Sequence, residues 1–259
     1  MKRIVFFIIL SFFTKFLTAQ NIKQDIAEIK AQFKWINNQK DFQSVYFEND
    51  EFTDQIPSEG CELSVFYKND TIYKIIQKDA VSYAVFTTEF YLKNNQVNFV
   101  YRKEENFRIS PDDESDIKFE TKYEERVYFK NKKIIRHLEK GTSVLGNNLD
   151  YQKLFAEYKP LIDTKIIYGK QYNLLQGTWK NDDNDKDWFI IKGLAKQQYN
   201  DSDFVTYYRL WFDGRYLWLH NTENPDDGDS KFEILLLNDK KLEMQDRLSG
   251  EVLFYSKVE

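Results

Sequence analysis

The sequence predicts an α+β unit followed by an all-β unit: an N-terminal helix packed on an antiparallel meander sheet, then a small antiparallel barrel. Three observations carry this expectation. A hairpin phrase recurs three times, a single amphipathic stripe precedes it, and short strand candidates crowd the chain from Leu174 onward. The phrase reads Phe66-Tyr67-Lys68-Asn69-Asp70-Thr71-Ile72, then Tyr91-Leu92-Lys93-Asn94-Asn95-Gln96-Val97, then Tyr128-Phe129-Lys130-Asn131-Lys132-Lys133-Ile134. Each is strand, two-residue turn, strand. Asn tolerates the positive φ of a type I′ turn, and the flanking β-favouring residues supply the paired strands. Residues 62–139 are therefore expected to form an antiparallel meander.

The first residues read as an export signal. Lys2 and Arg3 precede an almost unbroken apolar run from Ile4 to Phe13, and Leu17-Thr18-Ala19 offers cleavage after Ala19. The run falls short of the about 20 apolar residues a membrane-spanning helix needs, and Lys15 interrupts its far end. A retained anchor is the alternative; after cleavage no membrane insertion is expected, and the protein is expected to be secreted or periplasmic. Formal charge is −5, and losing residues 1–19 removes Lys2, Arg3 and Lys15 but no acid, so the mature chain is more acidic still. That field disfavours nucleic acid as a partner. Cys61 is the only cysteine, so stability must come from an ordinary core and not from a disulfide.

After the signal, Ile22, Ile26, Ile29, Phe33 and Ile36 recur at helical spacing, with Lys23, Asp25, Glu28, Lys30 and Lys34 on the other faces. A meander with one apolar face needs a cover, and this stripe is the one available early in the chain, so the helix should lie across the sheet. Trp35 falls off the stripe and is expected to pack against a neighbouring loop. Gln43 to Phe47 reads as a first strand, Glu48 to Gly60 as a loop, and Glu104 to Glu114 as a polar excursion before the third hairpin resumes near Phe119. Asp150 to Tyr158 reads as a short helix stopped by Pro160. The boundary falls near Gln171, giving a signal over 1–19, a helix-plus-sheet domain over 20–170 and a barrel domain over 171–259.

In the last stretch the strand candidates are Trp188 to Ile191, Phe204 to Phe212, Tyr216 to His220, Phe232 to Leu237, Lys241 to Met244 and Glu251 to Tyr255. Hairpin turns are expected at Asp213-Gly214 and Asn238-Asp239. Four of the five Trp residues, at 179, 188, 211 and 218, lie here. Leu174-Leu175-Gln176-Gly177-Thr178-Trp179 opens the region with a Gly-x-Trp pattern. This region resembles the lipocalin-like (calycin) domains found at the C-terminus of many exported bacterial proteins. The resemblance implies that Trp179 closes the base of the barrel and that a basic residue of the last strand packs over it, with Lys257 standing where Arg is usual. The N-terminal region is similar to uncharacterised exported hairpin-repeat proteins of the Bacteroidetes type, a likeness that implies no activity.

Small barrels are usually filled by their own side chains, and somewhat larger ones enclose a ligand. A filled, structural barrel is the first expectation. A pocket for a small apolar ligand around Trp179, Tyr207, Trp211 and Trp218 is the alternative. Catalytic chemistry finds few parts. His137 and His220 lie in different domains without a Cys partner, so no metal site is expected. The run Asp182 to Asp187 resembles a calcium loop, but Trp188 stands where Gly is required and Leu194 where Glu is. No Gly-x-Ser-x-Gly and no phosphate-cradling Gly-rich loop occurs. The expectation is a non-catalytic, exported binding or scaffolding protein without a cofactor, whose partner is another protein or a small apolar ligand. A carboxylate-based hydrolase is the third reading.

Overall fold

The computed structural model describes residues 21–110, 113–146 and 149–258. The expected signal at 1–19 lies outside the described residues, as does Pro111 within the expected polar excursion. By their contacts the residues form two compact units. One takes the described chain up to Ser44 together with Val65–Leu149, and the other takes Val45–Ser64 together with the chain from Asp150 onward.

Seven strands form one antiparallel sheet in sequence order: β1 (Gln43–Glu48), β2 (Cys61–Lys68), β3 (Thr71–Val81), β4 (Ala84–Lys93), β5 (Gln96–Ser110), β6 (Asp113–Lys130) and β7 (Lys133–Gly141). The recurring phrase forms the turns expected of it. Asn69 and Asp70, Asn94 and Asn95, and Asn131 and Lys132 all have φ between 45° and 65°, the double positive φ of a type I′ turn. Helix α1 covers residues 21–38. Its Ile26, Ile29 and Ile36 are buried against Tyr91, Phe99 and Tyr128 of the sheet, with Ile22, Phe33 and Tyr101 at the margin. The aromatic face of the sheet is thus the face the helix covers. Trp35 remains 46% exposed while its ring meets those of Phe42 and Tyr73, at 6.2 and 5.4 Å.

Two expectations are corrected. The polar stretch after Glu104 is not an excursion: β5 and β6 continue as paired strands out to Ser110 and from Asp113. A ladder is made by backbone groups, and charged side chains that neutralise one another, such as Lys103 with Glu105 and Lys122 with Glu120, need no apolar alternation to sit on it. Pro160 likewise does not end its helix. Helix α2 (Tyr151–Ile166) starts at the Asp150 cap, whose carboxylate accepts from the Gln152 and Lys153 amides at 3.1 Å, and runs through the proline. Beyond it Leu161, Ile162 and Thr164 are buried, and the Thr164 hydroxyl donates to the Pro160 carbonyl at 2.8 Å. Burial of that face outweighs the one backbone hydrogen bond proline removes.

After α3 (Gly169–Leu175) the chain forms a closed antiparallel barrel. Its strands are β8 (Gly177–Asn181), β9 (Asp187–Lys192), β10 (Ala195–Asn200), β11 (Asp203–Phe212), β12 (Tyr216–Asn221), β13 (Asp229–Leu237), β14 (Lys241–Asp246) and β15 (Val252–Val258). All six strand candidates are present, and β10 is a strand that the hydrophobic pattern does not show. The hairpin turns expected at Asp213-Gly214 and Asn238-Asp239 are present with their tips one residue further on: the Asp213 amide donates to the Tyr216 carbonyl at 3.2 Å and the Asn238 amide to the Lys241 carbonyl at 3.0 Å, leaving Gly214-Arg215 and Asp239-Lys240 between the strands. At the first, the Asp213 carboxylate accepts from the Arg215 and Tyr216 amides and Gly214 takes φ +95°. At the second, Asn238 Oδ1 accepts from the Lys240 and Lys241 amides in the same way.

Candidate functional site

Burial alternates along β9, β12 and β14, and the inward set of the barrel divides into a floor and a mouth. The floor is apolar. Trp179, Phe189, Ile191, Leu210, Phe212, Leu217 and Leu242 are each 0–2% exposed. The indole N–H of Trp179 donates to the Leu175 carbonyl at 2.8 Å, and the Lys257 ammonium lies 5.0 Å from the Trp179 ring centre while donating to the Leu174 carbonyl at 3.0 Å. Gly177, at φ +116°, leaves the space that Lys257 uses: a Cβ there would stand 2.8 Å from Lys257 Cε.

Above the floor the barrel is not filled. A cavity of about 430 Å³ opens there, and its rim residues Asn184, Asn200, Val205 and Ser230 are exposed, so it reaches solvent. Its two walls differ. Leu219, Phe232, Met244 and Leu253, from β12 to β15, make an apolar wall, while Asp187, Lys196, Gln198, Tyr208 and Tyr255 make a polar one. The size falls within the range of small-molecule sites.

Lys196 is the centre of the polar wall. It stands opposite Tyr208 on β11 and Ile191 on β9, is only 6% exposed, and its Nζ lies 4.6 Å from the Phe189 ring centre and 4.9 Å from that of Tyr208. Two ring faces attract the cation but do not neutralise it. Its hydrogen-bond partner is the Gln198 side-chain oxygen, and among the described residues it makes no ion pair. Asp187 is the acid nearest in the network, but its oxygens accept from Gln198 at 2.5 Å, Asn181 at 3.0 Å and Tyr255 at 3.5 Å. Withdrawal from water holds the Lys196 ammonium down to about 8, only partly offset by the Asp187 charge. Burial also pushes the Tyr208 and Tyr255 hydroxyls up, so both stay neutral well above physiological pH.

Of the residues the sequence singles out, the structure puts Trp179 in the floor of the barrel. Tyr207, Trp211 and Trp218 alternate with the inward Tyr208, Leu210, Leu217 and Leu219 and lie on the outside. There Gln197 donates to the Tyr207 hydroxyl at 3.2 Å, the rings of Trp211 and Trp218 stack 6.0 Å apart, and the Lys231 ammonium covers Trp218 at 4.4 Å. Lys196 and Gln198 carry no signal in the sequence, because two polar residues in a polar strand look like any solvated edge.

Two other clusters gather charged groups. A larger recess of about 630 Å³ lies outside the barrel, lined among others by Asp54, Arg209, Trp211, His220 and Asp229. Its charges satisfy one another: Arg209 pairs with Asp54 at 2.7 Å, and His220 bridges Asp229 at 2.9 Å and Asp54 at 3.3 Å. In the sheet unit Glu125, His137 and Glu139 bring their ligand atoms within 4.8 Å of one another. The His137 ring lies 2.7 Å from Glu125 and 3.3 Å from Glu139, while Arg102 approaches Glu125 at 3.6 Å and Tyr123 donates to Glu139 at 2.9 Å. There His137 and Glu125 are hydrogen-bonded to each other, Glu139 accepts from Tyr123, and the guanidinium stands at the second Glu125 oxygen. No protein-family model, curated protein or solved structure matches the chain.

Proposed function

We propose that this chain is an exported, non-catalytic binding protein whose ligand compartment is the interior of the C-terminal barrel. The ligand is a small amphipathic molecule and not a wholly apolar one. The observation that carries this reading is the two-sided cavity: one wall of Leu219, Phe232, Met244 and Leu253 for an apolar body, and one wall of Lys196, Gln198 and Asp187 for a polar edge. The reading of export rests on the pattern of residues 1–19. Tyr91, Phe99 and Tyr128 of the sheet lie under α1, so the barrel and not that aromatic face carries the reading.

The test uses N-phenyl-1-naphthylamine, a neutral probe that fluoresces when it leaves water. It should bind the mature chain, and a cavity-filling Met244→Trp or Leu219→Trp variant with an unchanged circular dichroism spectrum should lose at least tenfold in affinity. Equal binding to both variants, or none to the parent protein, would reject the compartment.

A further inference from the structure

The residue that organises the cavity is a cation that, among the described residues, has no carboxylate in direct contact with it. Lys196 is 94% withdrawn from solvent, held between two ring faces, and hydrogen-bonded to a neutral amide oxygen. Its charge is balanced only at a distance, because Gln198 stands between it and Asp187 and uses its amide to donate to that carboxylate. A lysine serving the fold alone is satisfied by a carboxylate or snorkels to water. This one does neither, and it faces an accessible cavity. We propose that the ligand of this barrel bears a carboxylate, that Lys196 receives it as an ion pair inside the barrel, and that the apolar body of the ligand lies along Leu219, Phe232, Met244 and Leu253. The inference rests on the reading of the barrel interior as a ligand compartment.

The chemistry selects a monoanion. The polar wall offers a single ammonium with the neutral hydroxyls of Tyr208 and Tyr255 around it, and among the described residues no second cation lines the cavity to meet a phosphate dianion. Asp187 on the same wall is placed to repel a second acidic group. A point-like ammonium on a flexible stem needs no fixed bidentate geometry, so one carboxylate suffices. The titratable groups that share the cavity with Lys196 from other strands are Asp187 on β9, Tyr208 on β11 and Tyr255 on β15. Because burial raises both tyrosines, the change of charge between pH 7 and 9 belongs to Lys196 itself.

Calorimetric titration of the mature chain with decanoate, decanol and methyl decanoate tests this, since the three share one apolar body. Decanoate should bind at least tenfold more tightly than the two neutral analogues at pH 7, and its affinity should fall about tenfold per pH unit above about 8 while theirs stays level. In Lys196→Met, which keeps the volume and removes the charge, the preference should vanish while decanol still binds. Neutral analogues binding as tightly as decanoate, or a preference surviving in Lys196→Met, would overturn the carboxylate assignment and leave the compartment standing. Failure of all three to bind would overturn both.

Discussion

Arg102 in the sheet and Lys196 in the barrel are both cations withdrawn from water, and the two regions provide for them in opposite ways. Arg102, 1% exposed, meets Glu104 and Glu125, donates to the Ser143 hydroxyl at 2.8 Å and the Gly146 carbonyl at 3.0 Å, and covers the Tyr123 ring. Glu104 in turn accepts from the Val144 amide at 2.8 Å and the Ser143 hydroxyl at 2.6 Å. Every strong donor and acceptor there is matched by protein, which is how a buried charge is kept when its role is to hold a segment in place. Lys196 has one neutral hydrogen-bond partner and an accessible cavity beside it. The difference teaches that burial of a charge is not by itself a sign of function. What points to a ligand is a buried charge that the fold leaves incompletely answered and turns toward open space.

The comparison breaks most visibly if the two cations are removed in turn. Arg102→Met leaves Glu104 and Glu125 buried without their counter-ion and should destabilise the sheet unit by about 3–5 kcal/mol, measured as loss of hydrogen-exchange protection in β5 and β6. A change below about 1 kcal/mol would mean that the network is ornamental.

Lys196→Met should act in the opposite direction. Because the folded state lowers the ammonium from 10.5 to about 8, the native protein binds fewer protons than the unfolded chain between those values. The penalty is therefore present in full below about pH 8 and is relieved as pH rises toward 10.5. Its size is about 3 kcal/mol. The variant should be more stable than the parent by that order at pH 7, with the gap closing above pH 10. Tryptophan fluorescence during denaturation follows it, since four of the five Trp residues belong to the barrel region. A gap that does not narrow with pH would show that desolvation of the ammonium is not its source.

The smallest effect is expected of Gln198→Leu, which removes the amide between Lys196 and Asp187 and should cost about 1–2 kcal/mol. If instead the loss equals that of Arg102→Met, the barrel network is as structural as the sheet network, and the contrast between the two regions disappears.

Much of the sheet was readable from residues because its information is local. A type I′ turn needs two consecutive residues at positive φ, and Asn69, Asn94 and Asn131 announce where. The stripe from Ile22 to Ile36 announces its own covering role by spacing alone. Pro160 misled because its cost is local and visible whereas the burial that offsets it, at Leu161 and Ile162, comes from distant chain. The candidate site was the least readable part. Ala195–Asn200 has one aromatic residue and no apolar alternation, since its inward positions are Lys196 and Gln198. The rule that makes strands legible, apolar side chains facing in, fails where a barrel interior is polar for a reason of its own. Tyr207, Trp211 and Trp218 are bulky, and size correlates with burial, but parity along β11 and β12 turns them outward.

By itself the sequence determined the class of each region, the positions of the three sheet hairpins, the covering helix and six of the eight barrel strands as separate segments. These follow from periodicity and turn chemistry, which operate over a few residues. Only the tertiary structure decided that the barrel closes, that a cavity of about 430 Å³ survives above Trp179, and that one lysine looks into it while the acid on the same wall, Asp187, is engaged by Gln198. Closure joins β15 to β8 and encloses the inward side chains of β9, β10 and β11, and whether a polar side chain on them meets solvent, a partner or a cavity depends on the register between strands, which no short stretch of residues contains.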